Sequence, residues 1–138
     1  MADPVSDDSG ILTLVVFALQ SSKCLFQTVS SFQSNQRTIR ELKDELEALN
    51  EVLGSLQQTA ATTNVDFTSL KLPLRGCGRA CEEFKEVVDR CTEHSNGSRT
   101  SFKDWAKLRY MGDDIAGFKN ALASYRSTIF IAVRDANM

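Results

Sequence analysis

One histidine, two prolines and one tryptophan in 138 residues leave little material for a catalytic centre, a metal site or a turn-rich fold. The lone His94 falls in a polar stretch, EHSNGSR, with no carboxylate placed to orient it, so a nucleophile activated by a histidine base has no support. Alternating apolar and polar residues, the signature of half-buried strands, are nearly missing, which excludes a β-rich fold. Net charge is also small: the formal value is -2, and the last 38 residues carry only +2, too little for a phosphate-binding face. Nucleic acid is therefore not an expected partner. No apolar run reaches the ~20 residues that span a bilayer as a helix; the longest covers about half that. It lacks a basic leader, since Asp3, Asp7 and Asp8 precede it, and no small-residue cleavage site follows. A cytoplasmic protein is expected, and Asn96-Gly97-Ser98 is then a polar turn rather than a glycosylation site.

That run is Gly10 to Leu19, GILTLVVFAL, in which Thr13 alone is polar. A helix apolar on every side must be buried in protein or lipid. Ile11, Val15, Ala18, Leu25, Val29 and Phe32 share one stripe, while Leu12, Leu14, Val16, Phe17 and Leu19 cover the other sides. The sequence thus predicts a first helix from about Asp7 to Phe32, walled in by the others. Ser6 would cap it, and Asp7 and Asp8 would sit in its first turn, where the helix dipole favours acids.

Three more seams follow. Ile39, Leu42, Leu46, Leu49, Leu53 and Leu56 repeat at 3,4,3,4,3 spacing after a capping box at Thr38 to Glu41. Arg37/Glu41, Arg40/Asp44 and Lys43/Glu47 lace its outer face, and Gly54 would mark a close crossing. Residues 57 to 70 lose periodicity and read as a loop, with Phe67 and Leu70 attached to the core. Pro73 suits the start of a third helix, whose seam is Leu74, Cys77, Cys81, Phe84, Val88 and Cys91. A short helix from Phe102 to Arg109 carries Trp105. The last helix has the stripe Ile115, Phe118, Leu122, Tyr125, Ile129, Ala132 and Ala136, with Phe130, Ile131 and Val133 widening its apolar face before the chain stops. The fold expected is all-α: one domain over residues 1–138, an antiparallel bundle of four main helices plus a short one around the hydrophobic N-terminal helix. The broadened last helix suits a domain taken from the front of a longer protein, or one made to meet a partner.

Chemistry finds few footholds. Cys24, Cys77, Cys81 and Cys91 fall at core positions and suit free thiols. Cys81 and Cys91 on one helix lie ~15 Å apart, too far to share a zinc ion with His94. The glycines around Cys77 and at Gly112 and Gly117 follow no strand and precede no Lys-Ser/Thr, so they cradle no phosphate. No enzyme, cofactor, metal or small-molecule substrate is expected.

Met1 to Ser6 followed by a hydrophobic helix, the stretch RTIRELKDELEALNEVLGSLQ from Arg37, and above all FKDWAKLRYMGDDIAGFKNALASYRSTIFIAVRDAN from Phe102 resemble a fungal family. That family is named for the N-terminal domain of an azaphilone pigment cluster protein L and is grouped with HeLo-like domains. The resemblance spans nearly the whole chain and implies a signalling or effector domain ahead of other modules. In related HeLo-like proteins the first helix enters membranes during programmed cell death. Carried over, that role falls on Ile11, Leu12, Leu14, Val15, Val16, Phe17 and Leu19, with movement from cytoplasm to plasma membrane on activation. Asp7 and Asp8 depart from the family pattern and oppose insertion, because carboxylates are costly to bury in lipid. The other reading is an interaction module, self-associating or docking partners through Phe130, Ile131 and Val133.

Overall fold

The computed structural model describes residues 10–31, 37–93 and 111–137, which form four long helices and no strand among the described residues. Helix α1, Ile11–Ser30, opens at Gly10, whose extended backbone (φ -74°, ψ 168°) precedes the first turn without a side-chain cap. It starts later than Asp7, so both aspartates lie ahead of it and outside the described residues, as does the proposed Ser6 cap.

Helix α2, Arg37–Thr62, buries all six residues of its predicted seam completely. It also runs further than expected, since residues 57–62 are helical rather than loop. Thr59 continues the seam and is buried, Ala60 and Ala61 favour helix, and the Thr62 and Thr63 hydroxyls each donate 2.8 Å bonds to the carbonyl four residues earlier. The actual link is short. Asp66 accepts the Thr68 backbone N–H at 2.9 Å, starting a single 3-10 turn, Thr68–Leu70, that tucks Phe67 and Leu70 into the core.

Helix α3, Lys71–Glu93, carries Pro73 in its first turn and buries Leu74, Cys77, Cys81, Phe84 and Val88. Helix α4, Met111–Ala136, buries Ile115, Leu122, Ile129 and Val133 and packs Phe118 and Tyr125 at the margin. The short helix expected around Trp105, and His94, lie outside the described residues.

Each helix runs opposite to the one before it, yet the packing is not a simple ring in chain order. Helix α1 packs on α2 and α3, and α4 packs on α2 and more narrowly on α3. Consecutive α2 and α3 therefore lie diagonally, and the parallel pairs α1/α3 and α2/α4 are neighbours. Cross-helix contacts fix the register: Phe17 lies against Gly78, Lys119 against Glu41, Asn137 near Thr59, and Tyr125 against Gly76. One end of the bundle thus gathers the start of α1, the end of α2, the start of α3 and the end of α4.

Helix α1 packs on both α2 and α3, but among the described residues it is not walled in on every side. Its inner face, Leu14, Val15, Ala18, Leu19, Leu25 and Val29, is buried, while Leu12, Val16, Gln20, Lys23 and Gln27 form an exposed outer stripe. The core lies between four seams, with the fully buried leucines of α2 against both α1 and α4. Two flanking helices suffice to cover one face of α1, so its surplus of apolar residues is left facing outward.

Candidate functional site

Of the seven α1 residues singled out in the sequence, Leu14, Val15 and Leu19 are buried and Ile11 and Phe17 pack against the core. Leu12 and Val16, one turn apart, are exposed at 46% and 36%. On α4, Phe130 and Ile131 are exposed, but Val133 is only 8% accessible. Val133 stands four residues after Ile129 and thus on the core stripe, which removes it from the predicted interaction surface.

Two glycines of α3 set how closely its neighbours approach, a role sequence reading missed. A Cβ at Gly78 would overlap the Phe17 ring of α1, and one at Gly76 would sit 2.8 Å from the Tyr125 hydroxyl of α4. The overlap at Gly78 involves three atoms of the Phe17 ring, whereas at Gly76 only the tip of the Tyr125 side chain would have to shift. Gly54, by contrast, meets nothing within 4 Å and marks no helix crossing. Phe84 of α3 and Phe118 of α4 stack with ring centres 4.3 Å apart.

The helices differ in what holds them. Helix α4 is pinned to α2 by Lys119 with Glu41 at 2.9 Å and by Arg126 with Glu45. Glu41 also pairs with Arg37 at 3.0 Å, and the hydrogen bonds from Lys119 and then Arg37 hold its carboxyl below the ordinary value. The other two i,i+4 pairs expected on α2 do not close. By contrast, α1 has one charge, the exposed Lys23, and among the described residues no ion pair joins it to another helix. Its interface also contains Ser22, wholly buried, whose hydroxyl has no hydrogen-bond partner; the Asn50 side-chain oxygen on α2 is likewise unmatched. Such groups cost ~1–3 kcal/mol each.

The thiols offer little chemistry. Cys77 and Cys81 are buried and unpaired as disulfides; a side-chain hydrogen bond shared with Cys77, then burial, push the Cys81 thiol far above its ordinary value. The Cys81 thiol is thus inert as a nucleophile. Cys24 is exposed, contrary to the core position expected for it. No group of three or more His, Cys, Asp or Glu side chains among the described residues could hold a metal. A shallow cleft of about 350 Å³ at the foot of α1 is lined by residues 10–13, Ala60, Val65, Asp66 and Phe67. The one ionisable group among its described residues, Asp66, is held in its charged form by hydrogen bonds from Thr68.

What stands out is polarity along the bundle. Leu12, Val16, Val65, Leu72, Phe130 and Ile131, the exposed large apolar residues among those described, all fall within about two turns of the same end. The ion pairs of Glu41, Glu45 and Asp89 lie toward the middle and the opposite end.

These features define an all-helical bundle domain with one strongly apolar first helix, partly exposed along its outer stripe. Within that class, the chain belongs to the family described as pigment biosynthesis cluster protein PigL N-terminal, whose model matches residues 2–138. No curated protein and no solved structure matches it.

Proposed function

We propose that this domain is a non-enzymatic signalling or effector module whose first helix can exchange the bundle for a membrane. The observation that carries this reading is the placement of α1. It is the one helix among the described residues long and apolar enough to cross a bilayer, with 20 residues and a mean hydropathy of 1.3. One face of it is exposed although it packs on both α2 and α3, and among the described residues no ion pair joins it to another helix. The likeness to HeLo-like domains, in which the first helix is membrane-active, points the same way.

Energetics set the condition for release. Leu14, Val15, Leu19, Leu25 and Val29 are buried, and exposing each to water would cost ~1.5–3 kcal/mol. Release into water is therefore excluded, whereas lipid tails receive these side chains as readily as a protein core does. The uncovered seams of α2 and α3 would then need new cover, which a second copy of the domain supplies. Activation thus involves homo-oligomers at the plasma membrane, and the resting protein is cytoplasmic.

Dye leakage from anionic liposomes tests this. Replacing Asp7 and Asp8 by Ile and Thr should raise leakage, since carboxylates oppose entry. Adding Leu12→Glu and Val16→Glu should abolish it while leaving the thermal midpoint nearly unchanged, because both positions are exposed in the bundle. No lipid binding and no leakage by any of these proteins would sink the reading.

The second reading, an interaction module without membrane activity, is favoured by the exposure of Phe130 and Ile131. It requires self-association that rises with protein concentration in the absence of lipid, and sedimentation of the domain measures it.

A further inference from the structure

Cys77 and Cys81 are buried nucleophilic groups for which the reading above has no use. They stand four residues apart on α3, so their side chains leave the helix on one face, a turn apart. Both are free thiols and wholly buried. A side-chain hydrogen bond links them, and with burial it keeps the Cys81 thiol protonated.

Their position ties them to α1. Gly78, against which the Phe17 ring of α1 lies, stands between them in sequence, while Gly76, just before the pair, faces Tyr125 of α4. At ~100° per residue, Cys77 points midway between those two directions and Cys81 about 60° from the Gly78 side. Helix α1 is thus part of the cover over Cys81. Lys85, one turn further along α3, lies within electrostatic reach of Cys24, which places α1 along this same side.

An intact helix holds such a pair too far apart to join, since Cβ atoms at this spacing are ~5–6 Å apart. A disulfide needs about 3.5–4.5 Å. Joining the sulfurs therefore draws in the turn made by Gly78, Arg79 and Ala80. The Phe17 ring fills the place where a Cβ on residue 78 would stand, so that turn cannot shift without disturbing the ring.

We propose that Cys77 and Cys81 are a redox-modification site, closed while α1 is seated and open to a hydroperoxide once α1 lifts, and that their disulfide keeps α1 from reseating. Departure of α1 admits water and relieves the burial that opposes ionisation. One thiolate attacks the hydroperoxide, breaking its O–O bond to give a sulfenic acid and releasing the other oxygen as alcohol or water. The second thiol displaces the sulfenic hydroxyl as water and closes the S–S bond. Two thiols lose two electrons and two protons, and the hydroperoxide takes up both. Cytoplasmic thiols reverse the bond, as suits a transient signal. The inference rests on the reading that α1 can leave the bundle, but it needs no lipid.

The reduced whole chain, treated with hydrogen peroxide and quenched by alkylation, tests it by peptide mapping of the disulfides. A Cys77–Cys81 bond should form, at least about fivefold faster in Gly78→Ala, where Phe17 is unseated. It should form about fivefold slower in Ser22→Ala, which removes the unmatched hydroxyl of α1. Gly54→Ala should leave the rate within about twofold, because it steadies α2 and not α1. In the oxidised chain, hydrogen exchange of Leu14 to Val29 should quicken at least about tenfold while Leu42 to Leu56 keep their protection, and dithiothreitol should restore the parent pattern. Circular dichroism melts confirm that each variant is folded, and Ser22→Ala carries the comparison if Gly78→Ala is not. Disulfides through Cys24 or Cys91 in place of this pair, or exchange of α1 unchanged by oxidation, would overturn the inference. Alkylation of Cys81 that slows in Ser22→Ala alone, with no disulfide formed, would overturn it and leave an opening α1 standing. Equal slowing by Gly54→Ala and Ser22→Ala would mean that the thiols are reached only through global unfolding, and would overturn both.

Discussion

Phe17 and Gly78 make the tightest joint between α1 and the rest of the bundle, and substitution there tests what the joint is worth. Alanine is the better helix former by ~1 kcal/mol, so Gly→Ala in open surroundings stabilises a helix. Gly54→Ala, with nothing near its Cβ, should therefore raise the thermal midpoint by a few degrees. At Gly78 the new methyl would overlap the Phe17 ring, and overpacking of this kind costs ~1–3 kcal/mol. Gly78→Ala should lower the midpoint despite its better propensity, and calorimetry on the pair of variants should give shifts of opposite sign. The sequence offers Gly54 as the mark of a close crossing and Gly78 only as one of the glycines around Cys77, and the packing reverses the two. What separates them is a ring contributed by a residue sixty-one positions earlier, and no local pattern encodes that.

At the scale of elements, strict seams were the most legible feature. Ile39 to Leu56 recur at spacings only a helix can use, and every one is fully buried. The end of α2 was misread because QQTAAT is polar, although polar residues with good propensity prolong a helix when threonine hydroxyls bond back to its carbonyls. Val133 was misplaced because three apolar neighbours on α4 look alike until the packing chooses one stripe. The α2/α4 clamp was invisible as well, since Glu41 seemed fully used by Arg37, and Lys119 lies on a helix seventy-eight residues later. That clamp has a pH signature. Glu41 has its carboxyl held below the ordinary value of 4.5 by Lys119 first and Arg37 second. A depressed folded-state value stabilises the fold above the unfolded-state value and loses that stabilisation as pH falls through the folded one. Glu41→Gln should therefore lower the thermal midpoint near neutral pH, and the gap to the parent should close as the pH is taken below about 4. Melting curves from pH 7 to pH 3 measure it; a gap independent of pH would mean that the carboxylate charge contributes nothing.

Across the whole molecule, the unequal ties between helices imply an order of opening. Helices α2 and α4 are joined by two ion pairs as well as by apolar contact, and α3 and α4 by a stacked pair of rings. If α1 departs, α4 still bridges α2 and α3, so three helices keep mutual contact. Among the described residues, helix α1 brings no ion pair to its interfaces, starts without a side-chain cap and contains the unmatched Ser22 hydroxyl. Regions with fewer specific ties open at lower free energy than the global transition. Native-state hydrogen exchange should therefore find the amides of Leu14 to Val29 protected less, and with a weaker denaturant dependence, than those of Leu42 to Leu56. Ser22→Ala removes the unmatched hydroxyl and should narrow that difference by slowing exchange in α1 alone. Exchange of α1 and α2 as one cooperative unit, with identical free energies and denaturant slopes, would mean that α1 leaves only when the bundle unfolds. A helix able to open alone is the minimum that transfer into a membrane requires, so this measurement, made without any lipid, bears directly on whether the fold permits the function proposed for it.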